Sequence, residues 1–326
     1  MRKPALVFVE FLPAFDGEVA LLSAAEQLAT ELTVAILVGP GDSLEFEVRR
    51  QWVEALVPAA HVVPFEPAAF ENDHGASRVR QLIAEAGRQP IARLVSLRTG
   101  LERLAGALSA DHAVLDPERE AFPADPEDIR SDICGHWSAM PETVRRLVRR
   151  RIALVGPECA GKSTMGAFLA ERYGIQVVPE YGRFHSKIRQ PGDYSIEELE
   201  FIDEISVAIR KVKEHVHGPL LLEDTDTILQ IAWAKKLHGT SGPGLEENLA
   251  LADHYFVFAP DIPWVDDPVR SMTRHEDRQE LFDILCRTLE ERRADFTIVR
   301  GDRALREATC AAVVEAQLSL VASSFR

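Results

Sequence analysis

Three things are scarce in this sequence. Cysteine occurs only at Cys134, Cys159, Cys286 and Cys310, and no two of these have C-x-x-C spacing. That excludes a disulfide framework and a cysteine-ligated zinc site, and it reads as the reduced thiols of a cytoplasmic protein. Long apolar runs are missing as well. None approaches the roughly 18 residues of a membrane span. Met1-Arg2-Lys3-Pro4 leads into strand-like sequence rather than a signal peptide. An excess of positive charge is also missing. Lys and Arg number 37 against 52 Asp and Glu, a net charge of −15. That argues against a nucleic-acid surface, and against an anionic membrane, as the main partner.

What is present is an ordinary globular composition, 46% hydrophobic and 27% charged. A length of 326 residues is long for one domain and comfortable for two. Residues 1–149 and 150–326 are expected to be separate α/β domains, each built on a parallel sheet. In the first, apolar runs such as Ala5–Val9, Leu32–Val38, His61–Phe65, Leu94–Ser96 and His112–Leu115 alternate with helical stretches. Alternation of that kind implies a parallel sheet covered on both faces. Between the halves, Leu147–Arg151 holds three consecutive arginines and no Gly, Pro or Ser. One continuous helix from Pro141 to Arg149 is expected there.

The stretch that carries chemistry is Gly156-Pro157-Glu158-Cys159-Ala160-Gly161-Lys162-Ser163-Thr164. It follows the apolar run Ile152–Val155 and precedes a helical Met165–Tyr173. Strand, glycine-rich turn and helix form the setting in which G-x-x-x-x-G-K-[ST] cradles phosphate. The glycines let successive amides face one anion, and the helix N-terminus points at the same place. Lys162 is expected to reach the β- and γ-phosphates of a nucleoside triphosphate, and Ser163 to offer a hydroxyl to Mg²⁺.

Further carboxylates and arginines fall where a parallel sheet places ligands, beyond the carboxyl ends of its strands. Gln176–Val178 delivers Glu180 and Arg183. A carboxylate there can accept the proton of an attacking hydroxyl, and an arginine can hold phosphoryl oxygens. Leu220–Leu222 ends in Glu223-Asp224-Thr225-Asp226. Asp224 is the expected second Mg²⁺ residue, directly or through water. Asp226 is expected at the acceptor's hydroxyls, and it rivals Glu180 as general base. Trp233 stands one to two turns later. Ser195-Ile196-Glu197-Glu198 is a capping box. It opens a helix to about His217, whose buried stripe is expected to be Ile196, Leu199, Ile202, Ile205, Ile209, Val212 and Val216. Arg270, Arg274 and Arg278 follow the strand His254–Phe258, in a loop expected to close over the transferring group. Gly301 and Asp302 follow the last strand, where adenine is expected.

Taken together, the residues from 151 to about 318 resemble the ribosylnicotinamide kinase domain of the NadR-type bifunctional proteins. The set that carries the likeness is the phosphate loop, Glu180-Tyr181-Gly182-Arg183, Asp224-Thr225-Asp226, Pro263-Trp264-Val265-Asp266-Asp267-Pro268-Val269-Arg270, and Arg278. The first half resembles that family's nicotinamide mononucleotide adenylyltransferase domain. Its first phosphate motif, G-x-F-x-P-x-H-x-G-H, falls on Phe11–Glu18. Phe11, Pro13 and Gly17 are kept, but the histidine positions hold Phe15 and Glu18. Its second, S-x-T-x-I-R, keeps Ile129 and Arg130 but holds Asp125 and Glu127 at the hydroxyl positions. Hydroxyls donate to phosphate oxygens, whereas ionised carboxylates only accept.

The resemblance implies phosphorylation of nicotinamide riboside by ATP with Mg²⁺, beside an adenylyltransferase-like domain that has lost catalysis. The DNA-binding segment that some members carry in front is expected to be missing. A nucleotide-dependent sensor, or a kinase for another nucleoside, are the other functions these residues allow. The expected partner is a small-molecule nucleoside, without nucleic acid or membrane, and the sequence does not give the oligomeric state.

Overall fold

A computed structural model describes residues 1–71, 74–188, 194–216, 218–267 and 270–324. The chain forms two compact units, one of Met1–Val148 with the tail from Ala322, the other of Arg149–Val321. Both are α/β, and each is built on a five-stranded parallel sheet.

The first unit runs β1 (Lys3–Val9), α1 (Asp16–Leu28), β2 (Ala29–Leu37), α2 (Phe46–Leu56), β3 (His61–Phe65), α3 (Ala68–Glu71), α4 (Gly75–Glu85), β4 (Arg93–Ser96), α5 (Glu102–Leu108) and β5 (Asp111–Val114). Helices α6 (Pro126–Ser131) and α7 (Glu142–Val148) follow, with a 3₁₀ turn at Trp137–Ala139 between them. The strand order is β3-β2-β1-β4-β5. Its core gathers Leu6, Ala35, Val63, Phe65, Val79, Ile83 and Leu94. Helix α1 stops at Leu28. Lys3 pairs with Ala29 across the ladder, so sheet pairing claims Ala29–Glu31 from the helix.

The second unit runs β6 (Arg150–Val155), α8 (Lys162–Tyr173), β7 (Gln176–Val178), α9 (Tyr181–Ile188), α10 (Ile196–Val216), β8 (Leu220–Asp224), α11 (Thr227–His238), α12 (Pro243–Asn248), β9 (His254–Phe258), α13 (His275–Glu291), β10 (Phe296–Val299) and α14 (Arg303–Ala322). The order β10-β9-β6-β8-β7 puts the strand that leads into the phosphate loop at the centre. Side chains alternate across that strand. Ile152 and Leu154 join Phe256, Phe258, Met165 and Leu169 on one face, while Ala153 and Val155 join Tyr255, Val257, Leu281 and Leu285 on the other. Both faces are apolar because helices cover both. No helix among the described residues is long and apolar enough to cross a membrane.

Several sequence expectations change here. The helix before the second unit ends at Val148, and Arg150 already belongs to β6. The three arginines serve the second unit. Arg149 Nε donates to Gly218 O, Arg150 Nε to Gln317 Oε1, and Arg151 Nη1 to Glu223 Oε1. The capping box forms as read, with Ser195 N–H on Glu198 Oε2 at 2.9 Å and Glu198 N–H on Ser195 Oγ at 3.3 Å. The stripe beyond it is less apolar than expected. Leu199 and Ile202 are buried, but Val212 is 64% exposed, and Asp203 and Arg210 turn inward instead. Arg210 lies 3.5 Å from Glu223 of β8, an ion pair that a hydrophobic period cannot reveal. His217 and the side chain of Val216 lie outside the described residues, as do Pro268 and Val269 of the loop motif.

Candidate nucleotide-binding site

The phosphate loop is shaped by two glycines with different reasons for being glycine. At Gly156, φ is +150°, and a Cβ would lie 2.8 Å from the carbonyl oxygen of Phe258. The central strand therefore passes β9 too closely for any side chain. Gly161 has φ +91° and is the N-cap of α8, a left-handed conformation that glycine takes without steric cost. Cys159 lies between them at φ +58°. The first turn of α8 then presents Lys162, Ser163 and Thr164 with the positive end of the helix. Lys162 is 8% exposed, and its Nζ donates to the carbonyls of Gly156 at 2.9 Å and Pro157 at 3.2 Å.

Other expected residues gather round this loop. One cavity is lined by Gly156, Glu158–Thr164, Glu180, Arg183 and Arg270 on the phosphate side. It continues between Ser186, Tyr194, Leu199, Ile202, Leu229, Gln230 and Trp233. Tyr194 and Trp233 meet edge to face, with ring centroids 6.3 Å apart. An adjoining recess brings Ser163, Glu180, Arg183, Asp224 and Arg270 together. Asp224 is 6% exposed, and its Oδ1 has no hydrogen-bond partner among the described residues. The next residue, Thr225, has φ +81° although it is β-branched. That conformation stores roughly 1–3 kcal/mol of strain at the strand end.

Burial raises the Glu180 carboxyl above the ordinary glutamate range. Lys162 and Arg183 oppose that shift, while Asp224 and Glu158 add to it. Arg183 Nη2 is paired with Asp267 Oδ2 at 2.5 Å. The ring of Trp264 lies under two guanidinium groups, that of Arg278 at 5.1 Å and that of Arg270 at 5.7 Å. Arg278 is 4% exposed, yet its Nε and Nη1 have no hydrogen-bond partner among the described residues. A buried, under-satisfied guanidinium is suited to an anion.

Arg278, held over Trp264, does not line the cavity, and three further expected site residues lie elsewhere. Asp226 is 7% exposed, caps α11 by accepting Ile228 N–H at 3.0 Å, and does not line the cavity. Its place at the end of an apolar strand suggested the pocket, but the helix start takes the carboxylate instead. Gly301 and Asp302 do not line the cavity either. Gly301 N–H donates to Asp261 Oδ2 at 2.7 Å, and Asp302 Oδ1 accepts Leu305 N–H at 2.9 Å. Sequence reasoning passed over Tyr194, Gln230 and Arg306. Gln230 had one signal, a lone amide inside the apolar stretch Ile228-Leu229-Gln230-Ile231-Ala232.

In the first unit, the residues aligned with phosphate motifs hold one another. Glu18 is 5% exposed, and its Oε1 accepts the backbone N–H of Glu10 at 2.6 Å and of Phe11 at 3.1 Å. Phe15 is buried against Gly17, where a Cβ would lie 2.4 Å from its ring. Arg130 Nη1 reaches Glu10 Oε2 at 3.0 Å and Leu12 O at 2.6 Å. Asp125 caps α6 in a reciprocal box with Asp128 and pairs with Arg119.

Comparison with known proteins agrees with this arrangement. A family model described as an AAA domain matches residues 151–306. The trifunctional NAD biosynthesis/regulator protein NadR of Escherichia coli (strain K12) is 25% identical over 91% of this chain and 78% of its own length. Its Salmonella typhimurium (strain LT2) counterpart is 24% identical over 90% and 78%. The chain is a homologue of NadR. Solved structures of NadR, one in complex with NR and one with NAD and AMP-PNP, superpose with TM-scores of 0.64. They are 18% and 17% identical and cover 97% of this chain and 96% of theirs. The NadR likeness thus spans both units, a nucleotidyltransferase-type fold followed by a P-loop kinase fold.

Proposed function

We propose that the second unit transfers the γ-phosphoryl group of ATP to the 5′-hydroxyl of nicotinamide riboside, giving nicotinamide mononucleotide. The observation that carries this reading is one cavity lined by the phosphate loop, by Glu180 and Arg183, and by Tyr194 and Trp233. A phosphoryl donor on one side and a flat nucleoside base on the other fit its two ends. The NadR structure in complex with NR supports the acceptor, and the one with AMP-PNP supports the donor.

In this mechanism Lys162 leaves the Gly156 and Pro157 carbonyls for the β- and γ-phosphates, beside the loop amides. Glu180 accepts the proton of the attacking hydroxyl. Its raised pKa brings it nearer the operating pH of a general base. Asp226, whose Oδ1 caps α11 and which does not line the cavity, is the less favoured base in this reading. Arg183, Arg270 and Arg278 neutralise charge on the transferring group. The residues present also fit Mg²⁺. Asp224 has a carboxylate oxygen with no partner among the described residues, Ser163 lines the same recess, and a hard cation carried by a nucleotide needs only one or two protein oxygens. Ser163 and Asp224 would hold the ion, which would offset charge on the phosphates.

The first unit is inferred to be silent in adenylyl transfer. The amides that follow β1 are taken by the Glu18 carboxyl, so a triphosphate arriving there finds those donors occupied and a phenyl ring beside them. The test uses the purified full chain with ATP, Mg²⁺ and nicotinamide riboside, with Lys162→Ala in parallel. Mononucleotide from the parent, lost in the variant, and no dinucleotide afterwards is the expected result. ATP binding without mononucleotide sinks the named acceptor. Dinucleotide formation sinks the silent first unit.

A further inference from the structure

We infer that Arg306 of α14 is a positioning residue for the nucleotide, fixing the phosphate loop against the two strand ends beside it. Arg306 is 4% exposed and lies far from the loop in sequence. Its guanidinium donates in four directions. Nη1 reaches the carbonyl of Ala160, inside the phosphate loop, at 2.8 Å. Nη2 reaches the carbonyl of Ala259, just past β9, at 3.2 Å, and also the Asp261 carboxylate. Nε reaches the carbonyl of Gly301, just past β10, at 2.8 Å. The second Asp261 oxygen accepts Gly301 N–H at 2.7 Å, which closes the circuit.

The arrangement has a physical consequence. Ala160 and Gly161 precede Lys162, so the orientation of the Ala160 peptide sets where the following amides point. Three carbonyls from three loops face one planar cation. A guanidinium alone offers donors in that fan, because a lysine ammonium is a point charge without a fixed fork. A misplacement of about 1 Å in groups that hold a reacting phosphate costs on the order of 100-fold in rate or affinity. None of the four acceptors lies on the acceptor side of the cavity. Loss of Arg306 should therefore be felt by the nucleotide and not by the nucleoside.

The inference rests on ATP being the ligand of the phosphate loop. It is tested on the full chain by calorimetric titration with MgATP, followed by steady-state kinetics. Arg306→Met should weaken MgATP binding and raise the KM for ATP by about 10- to 100-fold, with the acceptor KM within twofold of the parent. Arg306→Lys should recover part of the loss. Asp261→Asn, which removes the ion pair and leaves the three carbonyls, should be weakened less than Arg306→Met. A purely structural residue gives another pattern, with lower melting temperature and fewer binding sites but unchanged affinity per site, and that pattern overturns the proposal. If Arg306→Met does not fold, the lysine and Asp261→Asn variants decide, and an unchanged KM for ATP in both overturns it. Failure of the parent itself to bind MgATP overturns the nucleotide-site reading as well, so the two failures are told apart.

Discussion

Glu158 of the phosphate loop holds the backbone of Ser271. Its Oε2 accepts the N–H groups of Ser271 and Met272, each at 2.8 Å, and Ser271 Oγ lies 3.4 Å from Oε1. The residue before Ser271 is Arg270, which lines the cavity. The loop that holds phosphate thus also holds the segment bearing a cavity arginine. Glu158→Ala is expected to free that segment. We expect kcat to fall by about tenfold, with ATP affinity within about threefold, since charge-assisted bonds of this kind are worth about 1.5–3 kcal/mol. Stopped assays of product formed against ATP concentration check it. An ATP affinity that falls as much as kcat contradicts it.

Glu180 should set the acid limb of the pH profile. A general base works ionised, and burial raises the pKa of this carboxyl. The rate should therefore rise with pH through a midpoint above the usual glutamate value of 4.5. Glu180→Gln should lower kcat by about 100-fold or more and remove that limb. An unchanged limb in the variant would reassign the base.

Glu18 gives a pH-dependent stability with a definite sign. Burial pushes its carboxyl from 4.5 up to about 8. The folded state holds the proton more tightly than the unfolded chain. The contribution is therefore complete below about pH 4.5 and is lost as pH rises through about 8. Glu223, raised to about 7, and Asp203, raised to about 6, change in the same direction within the second unit. Glu18→Gln keeps an acceptor for the Glu10 and Phe11 amides and cannot ionise. Melting temperatures compared at pH 5.5 and 9 should fall further in the parent than in the variant. Parallel profiles in the two proteins would refute this.

Trp264 supports two cations, so its aromatic face should matter more than its bulk. Trp264→Leu is expected to lower kcat by about three- to tenfold, and Trp264→Phe less, in line with roughly 0.5–2 kcal/mol per cation–π contact. Equal losses in both variants would reduce the ring to packing.

Much of the second unit was legible because its signals are local. The phosphate loop declares itself through its glycines and its strand–helix setting. Glu180, Arg183 and Asp224 were placed by counting residues past apolar strands, and the fold brings all three to one recess. Asp226, two residues further, obeys the same count but caps a helix, and only the backbone at Thr225 decides between those fates. Helices α9 and α12 carry weak sequence signals, because each is short and has glycine as its second residue, Gly182 and Gly244. In the first unit, the exchange of histidines for Phe15 and Glu18 was plain in the sequence, but the capture of the Glu10 and Phe11 amides was not.

By itself, then, the sequence determined two parallel α/β units and a phosphate loop in the second. Each of these rests on periodicity or on residues that neighbour one another along the chain. Only the tertiary structure decided that Arg306 meets Ala160 across 146 residues, that Asp203 and Arg210 face inward, and that Tyr194 opposes Trp233. Those relationships arise from loops and helices packed from distant stretches of chain, and such contacts leave no fixed spacing in the sequence.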